Sequence, residues 1–139
     1  HLPFRDESFD VVTAISTIEH IGLKRYKNIL TEEGDKIAVK EITRILKRGG
    51  RLIMTVPFGK AAIVYYNGVA LHRCYDSASL KSVLEGLQIL KMQCLTRVGT
   101  NWLEAKVEEA EKVEGVEVWH GYHLRVPADC LIVAQKQAI

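Results

Sequence analysis

Residues 41 to 59, Glu-Ile-Thr-Arg-Ile-Leu-Lys-Arg-Gly-Gly-Arg-Leu-Ile-Met-Thr-Val-Pro-Phe-Gly, constrain the fold of this chain more than any other stretch. A helical pattern runs into the basic turn Lys47-Arg48, two glycines follow, and the apolar run Arg51 to Val56 stops at Pro57. The basic pair suits the negative end of a helix dipole, and Gly49-Gly50 reads as a helix stop. A helix that feeds a buried strand at once is a unit of an open α/β sheet, and such sheets keep their chemistry at the far end of the strand.

The rest of the chain repeats the alternation. Phe9 to Ile15 is a nearly continuous apolar, β-branched run, as expected of a strand buried on both faces. Asp35 can cap a helix to about Lys47, with Ala38, Ile42, Ile45 and Leu46 on one face. After Pro57 a loop is predicted from Gly59 to Tyr75. Asp76 or Ser77 opens a second helix closed by Gly86, and Leu87 to Thr96 reads as a strand. Thr100 or Asn101 is expected to cap a third helix to about Val113, with Glu104, Glu108, Glu109 and Glu111 on its wet face. Val116 to Trp119 reads as a short strand and Cys130 to Ala134 as an apolar closing strand. The pattern predicts an α/β sheet with helices on both faces and its loops gathered along one edge. The 139 residues fit one domain, with residues 100–128 as an insertion or lid-like segment.

Composition excludes little. With 47% hydrophobic residues, 26% charged residues and a formal charge of +2, the chain can bury one core and has no basic stripe. Lys24-Arg25-Lys27 and Lys47-Arg48-Arg51 are short and interrupted, so nucleic acid is not an expected partner. No apolar run reaches bilayer length, so no membrane partner is expected either. Cys74, Cys94 and Cys130 are odd in number and widely spaced, which predicts free thiols in a reducing cytoplasm. The chain begins with His rather than Met, a few residues before its first strand. It is expected to be a processed product or a fragment.

Three motifs follow one another at natural spacing. Leu2-Pro3-Phe4-Arg5-Asp6-Glu7-Ser8-Phe9-Asp10-Val11-Val12 comes first, Ile18-Glu19-His20-Ile21 follows that strand, and the helix, double glycine and strand complete the set. Together they resemble the C-terminal half of the catalytic domain of class I S-adenosylmethionine-dependent methyltransferases. The resemblance implies a truncated Rossmann-like sheet, mostly parallel with an antiparallel closing strand and helices on both faces. It implies S-adenosylmethionine as cofactor, with Leu2, Pro3 and Phe4 near its adenine and Ile15, Ser16 and Thr17 under it. His72-Arg73-Cys74-Tyr75 resembles a segment of family members that act on sugars. The family's glycine-rich loop and ribose-binding acidic residue have no counterpart in these residues, so weak or no cofactor binding is expected of this chain alone.

A hydroxyl or amine acceptor gains from a base that titrates near neutrality, and His is the usual one. His20, just past the first strand, and His72, in the loop after Pro57, are the catalytic candidates. Glu19, Arg73, Tyr75 and His123 are the candidates for contact with a small-molecule or saccharide acceptor. Trp119-His120-Gly121-Tyr122-His123 is open to reading as a pocket wall or as a packed aromatic connection. Its histidines with Cys130 match no structural zinc spacing, so no metal is expected.

An alternative is a non-catalytic methyltransferase-like remnant that serves as an interaction module. In the family's strand order Phe9 to Ile15 is a middle strand, and here its outer neighbour is missing. An uncovered apolar edge invites pairing, so a homodimer through Phe9 to Ile15 is expected. A different nucleotide-binding α/β protein, such as a dehydrogenase half, ranks last because nothing in the sequence reads a pyrophosphate.

Overall fold

The computed structural model describes residues 1–23, 31–115, 118–120, 123–125 and 127–138. The Lys24-Arg25-Lys27 group and residues 121 and 122 of the aromatic segment lie outside them. β1 (Phe9–Ile15) ends in a 3₁₀ turn, Ile18–His20. α1 (Gly34–Ile45), β2 (Leu46–Phe58), β3 (Ala62–Tyr66), β4 (Val69–Cys74) and α2 (Ser77–Val83) follow. The chain continues through β5 (Leu87–Val98), β6 (Asn101–Ala105), α3 (Val107–Ala110), β7 (Val118–His120), β8 (His123–Arg125) and β9 (Ala128–Lys136).

The main sheet has the order β1-β2-β9-β5-β6. β1 and β2 are parallel; β9 is antiparallel to both β2 and β5, and β6 is antiparallel to β5. The expectation of a mostly parallel sheet is therefore corrected for this chain. The closing strand slots between β2 and β5 and reverses both of its pairings, which leaves one parallel pair. The helix placement is corrected too. Val39 and Ile42 of α1, Leu80 and Val83 of α2 and Ala110 of α3 all join one core cluster with Leu52, Met54, Val56, Cys130, Ile132 and Ala134. The alternate positions of the sheet stay partly open, with Val11 49% and Ile15 56% exposed. Among the described residues, no helix is long and apolar enough to cross a membrane.

The double glycine does not stop a helix. α1 already ends at Ile45, and Gly49 and Gly50 lie inside β2. Phe9 pairs with Leu46 and Val11 with Arg51, so Asp10 alone faces Lys47 to Gly50. This bulge needs glycine twice. Gly49 has φ +77°, and a β-carbon on Gly50 would lie 2.8 Å from the Lys47 carbonyl oxygen and 3.1 Å from that of Asp10. Lys47 is not at a helix end; its Nζ pairs with Asp10 at 2.9 Å. From the neighbouring strand, Gln135 Nε2 and Lys136 Nζ donate 2.8 Å bonds to the carbonyls of Gly49 and Leu46.

Two further expectations change. The acidic stretch after Val98 turns at Gly99 (φ +62°) and returns as β6, so only Val107–Ala110 is helical. Pairing with β5 sets Leu103 opposite Thr96 and Trp102 opposite Arg97, cross-strand contacts that the local helical spacing does not encode. Glu111, read as a wet-face residue, accepts a 2.7 Å bond from the backbone N–H of Ser77 at the start of α2. The loop after Pro57 contains the hairpin β3–β4, turning at Asn67 (φ +48°) and Gly68 (φ +75°), which is type I′ turn chemistry. Asp76 caps α2 as expected: its carboxylate accepts from Ser79 N–H at 2.8 Å, and Ser79 Oγ accepts in return from Asp76 N–H at 2.9 Å.

Two of the three cysteines do not remain free thiols. Cys94 and Cys130 face each other across β5 and β9 and are joined as a disulfide. They are 36 positions apart, and only strand register brings them together. Cys74 is free and buried; burial, then the nearby Asp76 charge, pushes its thiol up to about 12.

Candidate active site at the carboxyl edge of the sheet

The carboxyl end of β1 is strained. Ser16 has φ +45°, unusual for a residue with a side chain. It is held there by a 3.0 Å bond from its N–H to Thr55 Oγ1, and Thr17 Oγ1 donates to the Ile15 carbonyl at 2.8 Å. Strain of this kind, fixed by its surroundings, gathers at functional positions. Ile15, Ser16 and Thr17 are all exposed. The chain then dives into the 3₁₀ turn, anchored by the buried Ile18.

That turn carries Glu19 and His20. Glu19 is only 2% exposed. Burial raises its carboxyl above the ordinary range; its own backbone N–H and His20 pull the other way, and Asp129 adds to the rise. His20 Nε2 lies 3.7 Å from Glu19 Oε1, while Glu19 Oε2 has no hydrogen-bond partner among the described residues. His20 Nδ1 bonds the Leu71 carbonyl at 2.7 Å, which fixes the ring to β4. That contact delivers His72: the two imidazoles stack edge to face with centroids 5.9 Å apart. Residues 52 positions apart in sequence thus form one cluster with Glu19.

Other candidates lie elsewhere. Arg73, expected against substrate, is 8% exposed, and its guanidinium donates to the carbonyls of Ile21 (2.6 Å) and Glu32 (3.2 Å). Tyr75 is 2% exposed, with its hydroxyl bonded to Asp35. Both hold the loop after the 3₁₀ turn, and the start of α1, against β4. Asp35, expected as a helix cap, is buried at 4% inside α1. His123 belongs to β8, and its side chain lies outside the described residues. Leu2, Pro3 and Phe4 precede the opposite end of β1. Leu2 N–H donates to Glu41 Oε2 at 2.7 Å, and Arg44 donates to the Phe4 carbonyl at 2.9 Å. Leu2 and Thr17 nevertheless line one groove of about 610 Å³ between β1 and α1, walled by Val12, Ala14, Ile37 and Ala38.

A second cleft of about 270 Å³ opens beside the histidines, and Arg97, Trp102 and Asp129 among its walls escaped sequence reasoning. It is lined by Ser16, Glu19 and His72 together with Pro57, Arg97, Trp102 and Asp129. Strand register explains the convergence. Asp129 lies opposite Pro57 on one side and Leu95 on the other, and Arg97 lies opposite Trp102. Asp129 is exposed, yet its surroundings desolvate it enough to raise its carboxyl. The one sequence signal for it is an acidic residue entering an apolar closing strand.

Comparison with solved structures places the fold. A candidate methyltransferase of Bacillus halodurans superposes with TM-score 0.62 at 17% identity, covering 99% of this chain and 74% of that one. An S-adenosylmethionine-dependent methyltransferase of Methanosarcina mazei gives 0.60 at 14% identity, over 100% and 64%. A [4+2]-cyclase, SpnF, shares the fold as well, with TM-score 0.55 at 19% identity over 100% and 53%. The fold is that of the class I S-adenosylmethionine-dependent methyltransferases. Two uncharacterized proteins of Methanocaldococcus jannaschii are similar in sequence. One is 39% identical over 56 residues, covering 40% of this chain and 20% of its own length; the other is 27% identical over 123 residues, covering 87% and 54%. The chain thus spans about half, or less, of the length of these curated relatives. A family model matches residues 4–117, and the chain belongs to that family, described as Caenorhabditis protein of unknown function, DUF268.

Proposed function

We propose that this chain is the C-terminal part of an S-adenosylmethionine-dependent methyltransferase that acts on a small-molecule or saccharide acceptor held at the carboxyl edge of the sheet. The observation that carries the reading is the convergence of the strained Ser16, the buried Glu19 with the half-buried His20, and His72 at the end of β1. The cofactor supplies a methyl group already activated on a sulfonium. The exposed Ile15, Ser16 and Thr17 suit a floor for it, and the exposed Leu2, which lines the groove with Thr17, suits contact at its far end. No glycine-rich turn or ribose-binding acidic residue belongs to this sequence, so these residues fit only part of the cofactor.

The protein's task is to hold the acceptor in line and take its proton; positioning of this kind is worth about 7–11 kcal/mol in favourable cases. His72 lines the cleft and is the stronger base candidate. His20, bonded through Nδ1 to Leu71 and facing Glu19 through Nε2, is suited to orienting that cluster. Calorimetry with S-adenosylmethionine on a full-length protein carrying this sequence tests the reading; no heat at saturating ligand overturns it. With an acceptor in hand, His72→Gln is expected to lower kcat by about a hundredfold or more.

A second reading, a dimerising module, has its own observation. Among the described residues no strand pairs with the outer edge of β1, and Val11 and Ile15 are exposed there. Two copies related by a two-fold axis would pair those edges antiparallel. Light scattering that finds this chain monomeric at micromolar concentration counts against it.

A further inference from the structure

The cleft beside His72 carries a charge problem that points to a ligand. Glu19 is buried, and its Oε2 has no hydrogen-bond partner among the described residues, although it belongs to the cleft wall. Asp129 lines the same small volume and forms no ion pair among the described residues. The nearby arginines do not neutralise them. Arg97 turns its Nε to the Gly99 carbonyl at 3.0 Å, and Arg73 is committed to Ile21, Glu32 and Asp35. His20 Nε2 comes no nearer to Glu19 than 3.7 Å, at Oε1, which is beyond hydrogen-bonding distance. A buried carboxyl group without a cation is costly; Glu19 is in that position, Asp129 stands at the cleft's open side, and desolvation raises the proton affinity of both.

We propose that this cleft is the acceptor-recognition site and that it binds a cationic amine, whose ammonium group sits between Glu19 and Asp129 against Trp102. An ammonium brings the three donors and the positive charge that this pair lacks. A polyol brings donors and leaves the charge uncompensated. Trp102, 45% exposed and lining the cleft, gives the cation an aromatic wall. This inference rests on the methyl-transfer reading for what becomes of the amine, and not for its binding.

The test uses n-propylammonium as the probe, with 1-propanol and glycerol as neutral controls at constant ionic strength. The readout is the Trp102 indole N–H in ¹H–¹⁵N spectra of this chain, assigned with Trp102→Phe. A saturable shift is expected for the ammonium and not for the neutral probes. Glu19→Gln and Asp129→Asn, which keep side-chain shape, are each expected to raise the dissociation constant about tenfold, with dispersion of the remaining amide peaks unchanged. An equal response to propanol or glycerol, no saturable shift, or an ammonium response that survives both substitutions overturns the proposal. If Glu19→Gln unfolds the chain, Asp129→Asn carries the same decision. Calorimetry with S-adenosylmethionine is a separate measurement. Cofactor binding without amine binding ends this inference alone, and amine binding without cofactor binding ends the methyl-transfer reading alone.

Discussion

The Tyr75 hydroxyl donates a 2.8 Å hydrogen bond to Oδ2 of Asp35, 40 positions earlier, and both side chains are buried. This bond fastens α1 to the strand–helix junction that presents His72. Tyr75→Phe removes the donor and leaves the buried carboxyl with Arg73 Nε at 3.6 Å. A loss of about 1.5–3 kcal/mol is expected, read as a lower urea midpoint at unchanged slope. Burial first, then Asp35, holds the Tyr75 phenol well above its ordinary range. A raised folded-state pKa stabilises below the unfolded value and is lost as pH rises past it. Stability should therefore fall above about pH 10, with Tyr75 ionising only on unfolding in an ultraviolet titration.

The bulge at Gly49 and Gly50 allows a graded test. Gly50→Ala forces a β-carbon against three carbonyl oxygens, those of Lys47, Asp10 and Phe9, all backbone. Gly49→Ala meets nothing within 4 Å and suffers only from its φ of +77°. Gly49→Ala should cost about 1–2 kcal/mol, and Gly50→Ala should cost more, because backbone must shift between β1 and β2. Thermal unfolding of the two variants decides the order; a larger loss for Gly49→Ala would contradict the packing.

The disulfide makes a chemical prediction. Alkylation in denaturant without reductant should label only Cys74, and after reduction all three cysteines should react. By the chain-entropy relation, a cross-link closing 36 residues is worth about 3–4 kcal/mol. Reduction should lower the denaturant midpoint correspondingly. Three labelled thiols before reduction would contradict the bridge.

Glu41 links the Leu2–Phe4 turn to α1 and should make that link acid-sensitive. Its carboxyl is lowered from 4.5 to about 2, first by Arg44, then by the Leu2 N–H. A depressed folded-state pKa stabilises above the unfolded value and is lost as pH falls through the folded one. The Leu2 amide resonance should therefore hold its position down to about pH 4 and move toward its unbonded value as pH approaches 2. Glu41→Gln should remove this transition without disturbing β1.

Local periodicity was enough to read β1 at Phe9–Ile15, the body of α1, the Asp76 cap and the closing strand, because each is written in adjacent residues. The ordered motifs also carried the fold class. Where the sequence misled, a long-range pairing overrode a local preference. The acidic run after Val98 has helical spacing but pairs with β5, and the helix stop at Gly49-Gly50 became a bulge facing Asp10. The site divides along the same line. Glu19, His20 and His72 were legible as chemistry-bearing residues near strand ends. Asp129, Trp102 and Arg97 were not, because only register across β2, β9, β5 and β6 turns them toward one cleft. Sequence alone therefore determined the elements that adjacent residues encode and the family-like order of motifs. Tertiary structure alone decided which side chains lost water together, left Glu19 Oε2 without a hydrogen-bond partner among the described residues, and gave the buried Arg73 and Tyr75 partners in Ile21, Glu32 and Asp35. Desolvation and charge compensation depend on neighbours in space, and strand pairing chooses those neighbours.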